Sequence, residues 1–171
     1  MAKGYAHQLA TFLDSAGRSY SLPVNTLPSA RGHGEPLSGR LSLPDGARFS
    51  DVLMGAEDAL WLLASDHGYG FLCRLADMQS RNKAGKTLLT VPEKAQALSA
   101  VAVDPLADRW VVVLSSEGYL LRFDLNEMPQ MAKGKGNKLL HIPPAKLQSR
   151  EALVVAVSTS AQQTDCVSTW N

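Results

Sequence analysis

Short apolar runs alternate with polar turns along most of the chain, and the pattern recurs with a period of about 50 residues. Three glycines mark the recurrence, since Gly17, Gly68 and Gly118 each divide two apolar runs and each follow a polar stretch. A polar turn that ends in glycine between two strand-like runs is typical of a β-hairpin. The pattern therefore predicts three hairpins at equivalent places in three repeats.

After each glycine, apolar and polar side chains alternate with the period of a β-strand, in the same register in every copy. One set should point into the core: Tyr20, Leu22, Val24, Phe71, Cys73, Leu75, Leu121, Phe123 and Leu125. The opposite set should lie on an exposed or half-exposed face: Ser19, Ser21, Arg74, Arg122 and Asp124. Each repeat later reaches a Leu-x-Leu-Pro, Leu-x-Val-Pro or Leu-x-Ile-Pro segment, where proline ends a strand.

About four short strands per repeat indicate an all-β fold, a propeller-like array of blades. We predict one unit over residues 1–171, with repeats at about 11–58, 59–108 and 109–150 and a partial fourth over 151–171. These boundaries amount to about three four-stranded blades plus an incomplete fourth. The ragged ends favour a segment of a longer array, with ends that we expect to be poorly ordered and prone to association.

Composition narrows the class of protein. The chain has 171 residues, 45% hydrophobic content and a formal charge of +1, so affinity for a polyanion depends on where the cations lie. Two distant cysteines, Cys73 and Cys166, argue against a zinc site or a disulfide framework and fit a reducing cytoplasm. We expect no membrane segment, because no apolar run approaches about 20 residues.

Three glycine-containing basic segments precede the proline-terminated strands. We call them loop 1 (residues 29–44), loop 2 (80–92) and loop 3 (131–143). A single charge run is more often a solvated surface, but three copies at one place in successive blades would align cations along one edge. The candidate DNA-binding residues are Arg31, Arg40, Arg81, Lys83, Lys86, Lys133, Lys135 and Lys138.

Such a cation stripe suits a phosphodiester backbone, which binds through charge and counterion release. No base-reading helix is evident in the sequence, and the loops lack interleaved aromatic residues for stacking bases. The pattern therefore favours duplex DNA, recognised by shape and charge. A β-propeller-like protein-interaction module without nucleic-acid binding is the alternative.

Catalytic motifs are weak. Gly85-Lys86-Thr87 matches the end of a phosphate-binding P-loop, but Ser80 replaces the first glycine and a strand follows where a helix is needed. A nucleotide-binding enzyme built on Lys86 is therefore a distant alternative. The four histidines lack the spacing of metal ligands, and Cys73 fits a small core residue.

Four segments in order resemble the C-terminal domain of the A-type subunit of bacterial DNA topoisomerase IV: DSAGRSY (14–20), TLPSARGHGEPL (26–37), ASDHGYGF (64–71) and KGKGNK (133–138). The resemblance covers about residues 12–143. The gyrase box Gln-Arg-Arg-Gly-Gly-Lys-Gly occurs only in degraded form, which favours topoisomerase IV over gyrase. The tail 164–171 departs from the family.

The resemblance implies a β-pinwheel, a propeller-like array of blades with exchanged strands. Its basic rim is expected to bind and bend duplex DNA, guiding strand passage, supercoil relaxation and decatenation by a type II topoisomerase. The resemblance also implies that this segment is non-catalytic and holds no cofactor, because the DNA-cleaving tyrosine, ATP and Mg²⁺ belong to other domains or subunits. No catalytic role passes to Tyr5, Tyr20, Tyr69 or Tyr119. The implied partners are double-stranded DNA and the B-type subunit of topoisomerase IV, the latter through other domains, in the cytoplasm at the nucleoid, with a role in chromosome segregation.

Overall fold

The computed structural model describes residues 8–29 and 31–161, which form strands, two short helices and three 3₁₀ turns. The strands are β1 (Leu9–Asp14), β2 (Arg18–Pro23), β3 (Phe49–Leu53), β4 (Leu60–Ala64), β5 (Tyr69–Arg74), β6 (Lys86–Thr87), β7 (Val101–Val103), β8 (Asp108–Ser115), β9 (Leu120–Asp124), β10 (Asn137–Lys138) and β11 (Val154–Ala161). The helices are α1 (Leu75–Met78) and α2 (Pro144–Gln148), and the 3₁₀ turns span Val24–Thr26, Leu37–Gly39 and Leu125–Glu127. The all-β prediction is confirmed.

Each predicted hairpin forms. β1 pairs with β2, β4 with β5 and β8 with β9, all antiparallel. Gly17, Gly68 and Gly118 adopt φ values of 84°, 89° and 86°, a left-handed conformation that glycine reaches without the penalty of a side chain. The local sequence thus builds the central pair of the first two sheets and two of the three strands of the third.

The outer strands complete sheets with the orders β3-β1-β2-β6, β10-β5-β4-β7 and β11-β8-β9. β6 of the second repeat pairs with β2 of the first, and β10 of the third pairs with β5 of the second. The first two blades therefore each receive their fourth strand from the following repeat. Exchange places the leucines after β6, Leu88 and Leu89, in the core between the first two sheets.

One strand departs from the predicted division of the chain. Val154–Ala161, expected to open a fourth unit, returns antiparallel beside β8 and belongs to the third sheet. It occupies the place that β3 and β7 hold beside β1 and β4. Among the described residues the third sheet has three strands rather than four.

Apolar side chains on facing sheets form the core. Leu13 of the first sheet packs with Phe71 of the second, and Leu62 of the second packs with Val111 of the third. A further cluster on the far side of the first sheet joins Phe12 and Tyr20 to Leu41 of loop 1.

Burial follows the predicted register at Tyr20, Phe71 and Cys73, all fully buried, but not at Ser19 and Ser21. These serines were expected on an exposed face and are instead buried. The Ser19 hydroxyl donates to the Met78 carbonyl over 2.7 Å, and the Ser21 hydroxyl accepts from the Ser80 amide over 3.2 Å. The expectation failed because this face of the sheet packs against the second repeat.

Candidate nucleic-acid interface

Loop 2 is held against the first hairpin by Arg18, the residue after the hairpin glycine. Its guanidinium donates to the carbonyls of Ala84 over 2.8 and 3.0 Å and of Gly85 over 3.2 Å, and to the Thr87 hydroxyl over 3.2 Å. A β-carbon at Gly85 would lie 2.5 Å from the Ser19 carbonyl oxygen, so only glycine allows this approach. The glycine of the loop is therefore required for docking.

Loop 3 docks on the second hairpin in the same way. Gly136 adopts φ 84°, and a β-carbon there would lie 2.0 Å from the Gly70 carbonyl oxygen. The Leu139 amide donates to the Gly68 carbonyl over 2.6 Å. Each of these two glycine-basic loops is thus seated on the blade of the preceding repeat.

Docking brings two lysines of loop 3 over an aromatic ring. The ammonium groups of Lys135 and Lys138 lie 3.9 and 6.0 Å from the ring centroid of Tyr69. A cation at this distance is attracted by the negative face of the ring. Tyr69 was missed by sequence reasoning, because it is distant from the loop in sequence. The sequence signal that could have identified Tyr69 is its position directly after the hairpin glycine, a position that recurs in each repeat.

Backbone hydrogen bonds join the three loops in series. The Ser42 amide of loop 1 donates to the Lys83 carbonyl of loop 2 over 2.9 Å. The Thr90 amide donates to the Gly134 carbonyl over 2.8 Å, and the Gly134 amide donates to the Leu88 carbonyl over 2.9 Å. The loops consequently lie side by side along the array.

The junction of loops 2 and 3 forms a groove of about 510 Å³ that contains Lys86 and Lys133. Thr87, Thr90 and Gly134 complete its lining. Ammonium, hydroxyl and backbone groups are those that commonly contact phosphate oxygens.

The eight predicted cations differ in how far their side chains are exposed and in the partners that their charged groups contact. Six have exposed side chains: Arg31, Arg81, Lys83, Lys133, Lys135 and Lys138. Arg40 is half-buried and lies 2.5 Å from the Glu35 carboxylate while also bonding Thr26. Lys86 is half-buried, and its ammonium donates to the Asp77 carbonyl. Arg40 and Lys86 thus hold the loops in place as well as adding charge.

Other candidate chemistry finds little geometric support. Lys86 and Thr87 form a strand paired with β2, whereas a P-loop requires the start of a helix there. Burial raises the pKa of the Cys73 thiol to about 12, which suits a core residue rather than a nucleophile. Over residues 8–29 and 31–161, no three His, Cys, Asp or Glu side chains approach closely enough to hold a metal ion.

His67 is buried at the second hairpin, and its Nε2 atom has no hydrogen-bond partner within the described residues.

The helices that the structure describes are all too short to cross a membrane.

Comparison with known proteins gives the family. The model of the DNA gyrase C-terminal domain, beta-propeller, matches residues 60–104 and 109–160. The A-type subunit of DNA topoisomerase 4 from Pseudomonas aeruginosa is 49% identical over 150 residues, and that from Escherichia coli K12 is 46% identical over 144. These alignments cover 88% and 84% of this chain but 20% and 19% of the relatives, so the chain spans about a fifth of their length.

Similar solved structures support the same family and fold. The E. coli ParC C-terminal domain superposes with a TM-score of 0.87 at 42% identity, over 91% of this chain and 63% of that one. A DNA gyrase A C-terminal domain, with a TM-score of 0.64 at 18% identity over 91% of this chain and 48% of that one, shares the fold. The resemblance drawn from the sequence is therefore confirmed, and the chain belongs to the DNA gyrase C-terminal domain family, in which it is similar to the A-type subunit of topoisomerase IV.

Proposed function

We propose that the chain binds duplex DNA through a basic rim, defined as the eight cations of loops 1, 2 and 3. The observation that carries the proposal is the series of backbone hydrogen bonds that joins the loops. Because the loops are adjacent, their charges add along one edge and match the repeating charge of a phosphodiester backbone.

The rim suits contact with the DNA backbone rather than base reading. The lysines provide mobile point charges, and the glycines allow close approach of the main chain. Bending DNA over a short site costs on the order of 1 to 6 kcal/mol, which several phosphate contacts can offset. We expect Lys133, Lys135 and Lys138 to contribute most, since their side chains are exposed and adjacent in sequence.

In a complete topoisomerase IV, such a rim would hold and bend the duplex during strand passage, favouring supercoil relaxation and decatenation. Cleavage of DNA and hydrolysis of ATP with Mg²⁺ would belong to other domains and to the B-type subunit. The chain would then act without catalysis of its own, in the bacterial cytoplasm and in chromosome segregation.

A salt titration of DNA affinity tests the proposal. The affinity of the chain for a short duplex is measured by fluorescence anisotropy at several salt concentrations, for the wild type and for the Lys133→Ala, Lys135→Ala, Lys138→Ala variant. Each lost phosphate contact should lower the slope of log affinity against log salt by about 0.9, so the triple variant should lose up to about 3.

The matched control removes three cations outside the loops: Arg109, Arg122 and Lys146. Arg109 lies 3.7 Å from the Asp124 carboxylate, Arg122 stacks over Trp110 and Lys146 bonds Glu117, so these charges are already engaged. The control variant should keep nearly the wild-type slope. If folded wild-type protein shows no DNA binding at low salt, the proposal is wrong, and the protein-interaction module becomes the better account.

A further inference from the structure

The residue directly after the hairpin glycine contacts the basic loop of the next repeat in the first two hairpins. Arg18 donates hydrogen bonds to carbonyls of loop 2, and Tyr69 lies beneath two ammonium groups of loop 3. The two contacts order different parts of their loops. Arg18 fixes the main chain of loop 2, whereas Tyr69 acts on the charged ends of lysine side chains.

Strand pairing brings Lys138 to the ring. Lys138 of β10 lies directly opposite Tyr69 of β5 in the antiparallel register. Directly opposed residues project their side chains from the same face of a sheet, close enough to interact. The Lys138 ammonium group accordingly lies 6.0 Å from the centroid of the Tyr69 ring.

A glycine turn brings Lys135 to the same ring. Gly136 adopts φ 84°, and a β-carbon there would lie 2.0 Å from the Gly70 carbonyl oxygen. The main chain can therefore turn closely over the start of β5, and the Lys135 ammonium group lies 3.9 Å from the Tyr69 centroid. This distance is well inside the roughly 6 Å over which the negative face of a ring attracts a cation.

The ring counters two effects that would otherwise spread these lysines apart. Like charges repel, and a lysine side chain loses much rotamer entropy when it is fixed in one place. Attraction to the ring offsets part of both effects before any ligand arrives. Both side chains are exposed, so their ammonium groups, with three donors each, can still donate to phosphate oxygens.

The remaining lysine of loop 3 belongs to a different contact. Lys133 lies in the groove at the junction of loops 2 and 3, together with Lys86. The described residues that line this groove do not include Tyr69 or the two lysines over its ring. Loop 3 therefore presents its charge in two separate places, and only one of them depends on the ring.

We propose that Tyr69 is a positioning residue for DNA binding, whose ring holds Lys135 and Lys138 together as one two-pronged contact for a phosphodiester backbone. This inference rests on the proposed function, because it assigns a role within the basic rim. Side chains that are ordered in advance lose less entropy on binding, which raises affinity. Loss of the ring should therefore weaken DNA binding although no charge is removed.

The test measures the affinity of the chain for a short duplex by fluorescence anisotropy at one low salt concentration. Tyr69→Leu should weaken binding about two- to fivefold, which corresponds to the loss of an exposed cation–π contact. Tyr69→Phe keeps the ring and should recover most of that loss. Tyr119→Leu is the matched control, since it removes an exposed tyrosine from the equivalent position of the third hairpin and should leave the affinity close to that of the wild type.

A double-mutant cycle separates positioning from general damage to loop 3. Tyr69→Leu should have little further effect in a chain that carries Lys135→Gln and Lys138→Gln, because the ring then has no ammonium group to hold. In a chain that carries Lys133→Gln, the full effect of Tyr69→Leu should persist, because Lys133 lies in the neighbouring groove. A structural defect in loop 3 would instead lower the affinity in both backgrounds.

The lysine contact is also measured without DNA, by nuclear magnetic resonance of the free chain. The Cε protons of Lys135 should be shifted upfield by the ring in the wild type and in Tyr69→Phe, but not in Tyr69→Leu. If circular dichroism shows that Tyr69→Leu is unfolded, Tyr69→Val takes its place, because a β-branched side chain suits a strand.

The inference and the proposed function fail in different ways. An unshifted Lys135 resonance in the wild type, undiminished affinity in folded Tyr69→Leu, or equal losses in the two lysine backgrounds would overturn the role of Tyr69 while leaving DNA binding intact. Absence of DNA binding by the folded wild-type chain would overturn the proposed function, and the role of Tyr69 in it, even where the resonance shift shows the lysine over the ring.

Discussion

Asp14 shows how a single buried charge is accommodated in the first hairpin. Its carboxylate is fully buried and accepts three hydrogen bonds, from the Tyr20 hydroxyl over 2.7 Å and from the amides of Ala16 and Arg18 over 2.9 Å each. A buried carboxylate is costly unless it is hydrogen-bonded. The conformation of the hairpin turn therefore depends on the Asp14 carboxylate and on the Tyr20 hydroxyl that donates to it.

Replacing Tyr20 with Phe should lower the free energy of unfolding by about 1.5 to 3 kcal/mol, because the buried carboxylate loses one charge-assisted hydrogen bond. Urea denaturation at neutral pH measures the change. Tyr119→Phe is the matched control, since Tyr119 is 68% exposed and its substitution should change stability by less than about 0.5 kcal/mol. Equal effects at the two tyrosines would contradict this account of Asp14.

The same residue gives a pH dependence. Burial, followed by the Asp14 carboxylate, raises the pKa of the Tyr20 hydroxyl above its ordinary value near 10. A raised pKa in the folded state means that the contribution of Tyr20 is complete below pH 10 and declines as the pH rises further. Tyr20→Phe should therefore lose less stability than the wild type between neutral and strongly alkaline pH, as measured by urea denaturation at each pH.

At the scale of the element, the hairpin glycines separate backbone strain from loop docking. Gly17→Ala and Gly118→Ala both place a side chain at a positive φ of similar size, which costs about 1 to 2 kcal/mol. Only at Gly17 would the new β-carbon also meet a docked loop, 2.1 Å from the Leu89 carbonyl oxygen. Gly17→Ala should therefore cost at least about 3 kcal/mol in urea denaturation, and similar losses at both glycines would argue against tight docking.

The elements divide into those that local pattern predicts and those that it does not. Hairpins at Gly17, Gly68 and Gly118 were predictable, because turn chemistry and period-two alternation are encoded within a few residues. Strand exchange was not encoded in the local pattern, since the pairing of β6 with β2 joins residues far apart in sequence, and it was expected only from the family resemblance. The burial of Ser19 and the contact of Lys135 with Tyr69 follow from that exchange, but the sequence did not identify these residues as its contacts.

The candidate DNA-binding site likewise has features that the local sequence predicts and features that depend on distant contacts. The sequence located the basic loops and their repeated spacing, but it treated all their cations as equivalent. Docking distinguishes them, since Arg40 is paired with Glu35 and Lys86 donates to the Asp77 carbonyl. These partners lie at ranges that periodicity does not encode, so which cations remain exposed had to come from the structure.

On the scale of the whole molecule, exchanged strands and shared cores couple neighbouring blades. Loop 2 fills the space between the first two sheets with Leu88 and Leu89, and loop 3 adds Leu139 to the cluster between the second and third. Repeat proteins owe much of their stability to such nearest-neighbour contacts. A substitution that destabilises one blade should therefore also lower the stability of the neighbouring blade.

This coupling predicts a single unfolding transition. In a variant that keeps only Trp61, with Trp110 and Trp170 changed to Phe, fluorescence reports on β4 in the second sheet. Far-ultraviolet circular dichroism reports on all sheets. Although Gly17→Ala lies in the first hairpin, it should lower the urea midpoint measured by Trp61 fluorescence and the midpoint measured by circular dichroism by the same amount. Gly118→Ala supplies the comparison from the third hairpin and should shift both probes by a smaller, equal amount. If circular dichroism fell at lower urea than Trp61 fluorescence in Gly17→Ala, the first blade would unfold alone, and the exchanged strand would not couple it to the second.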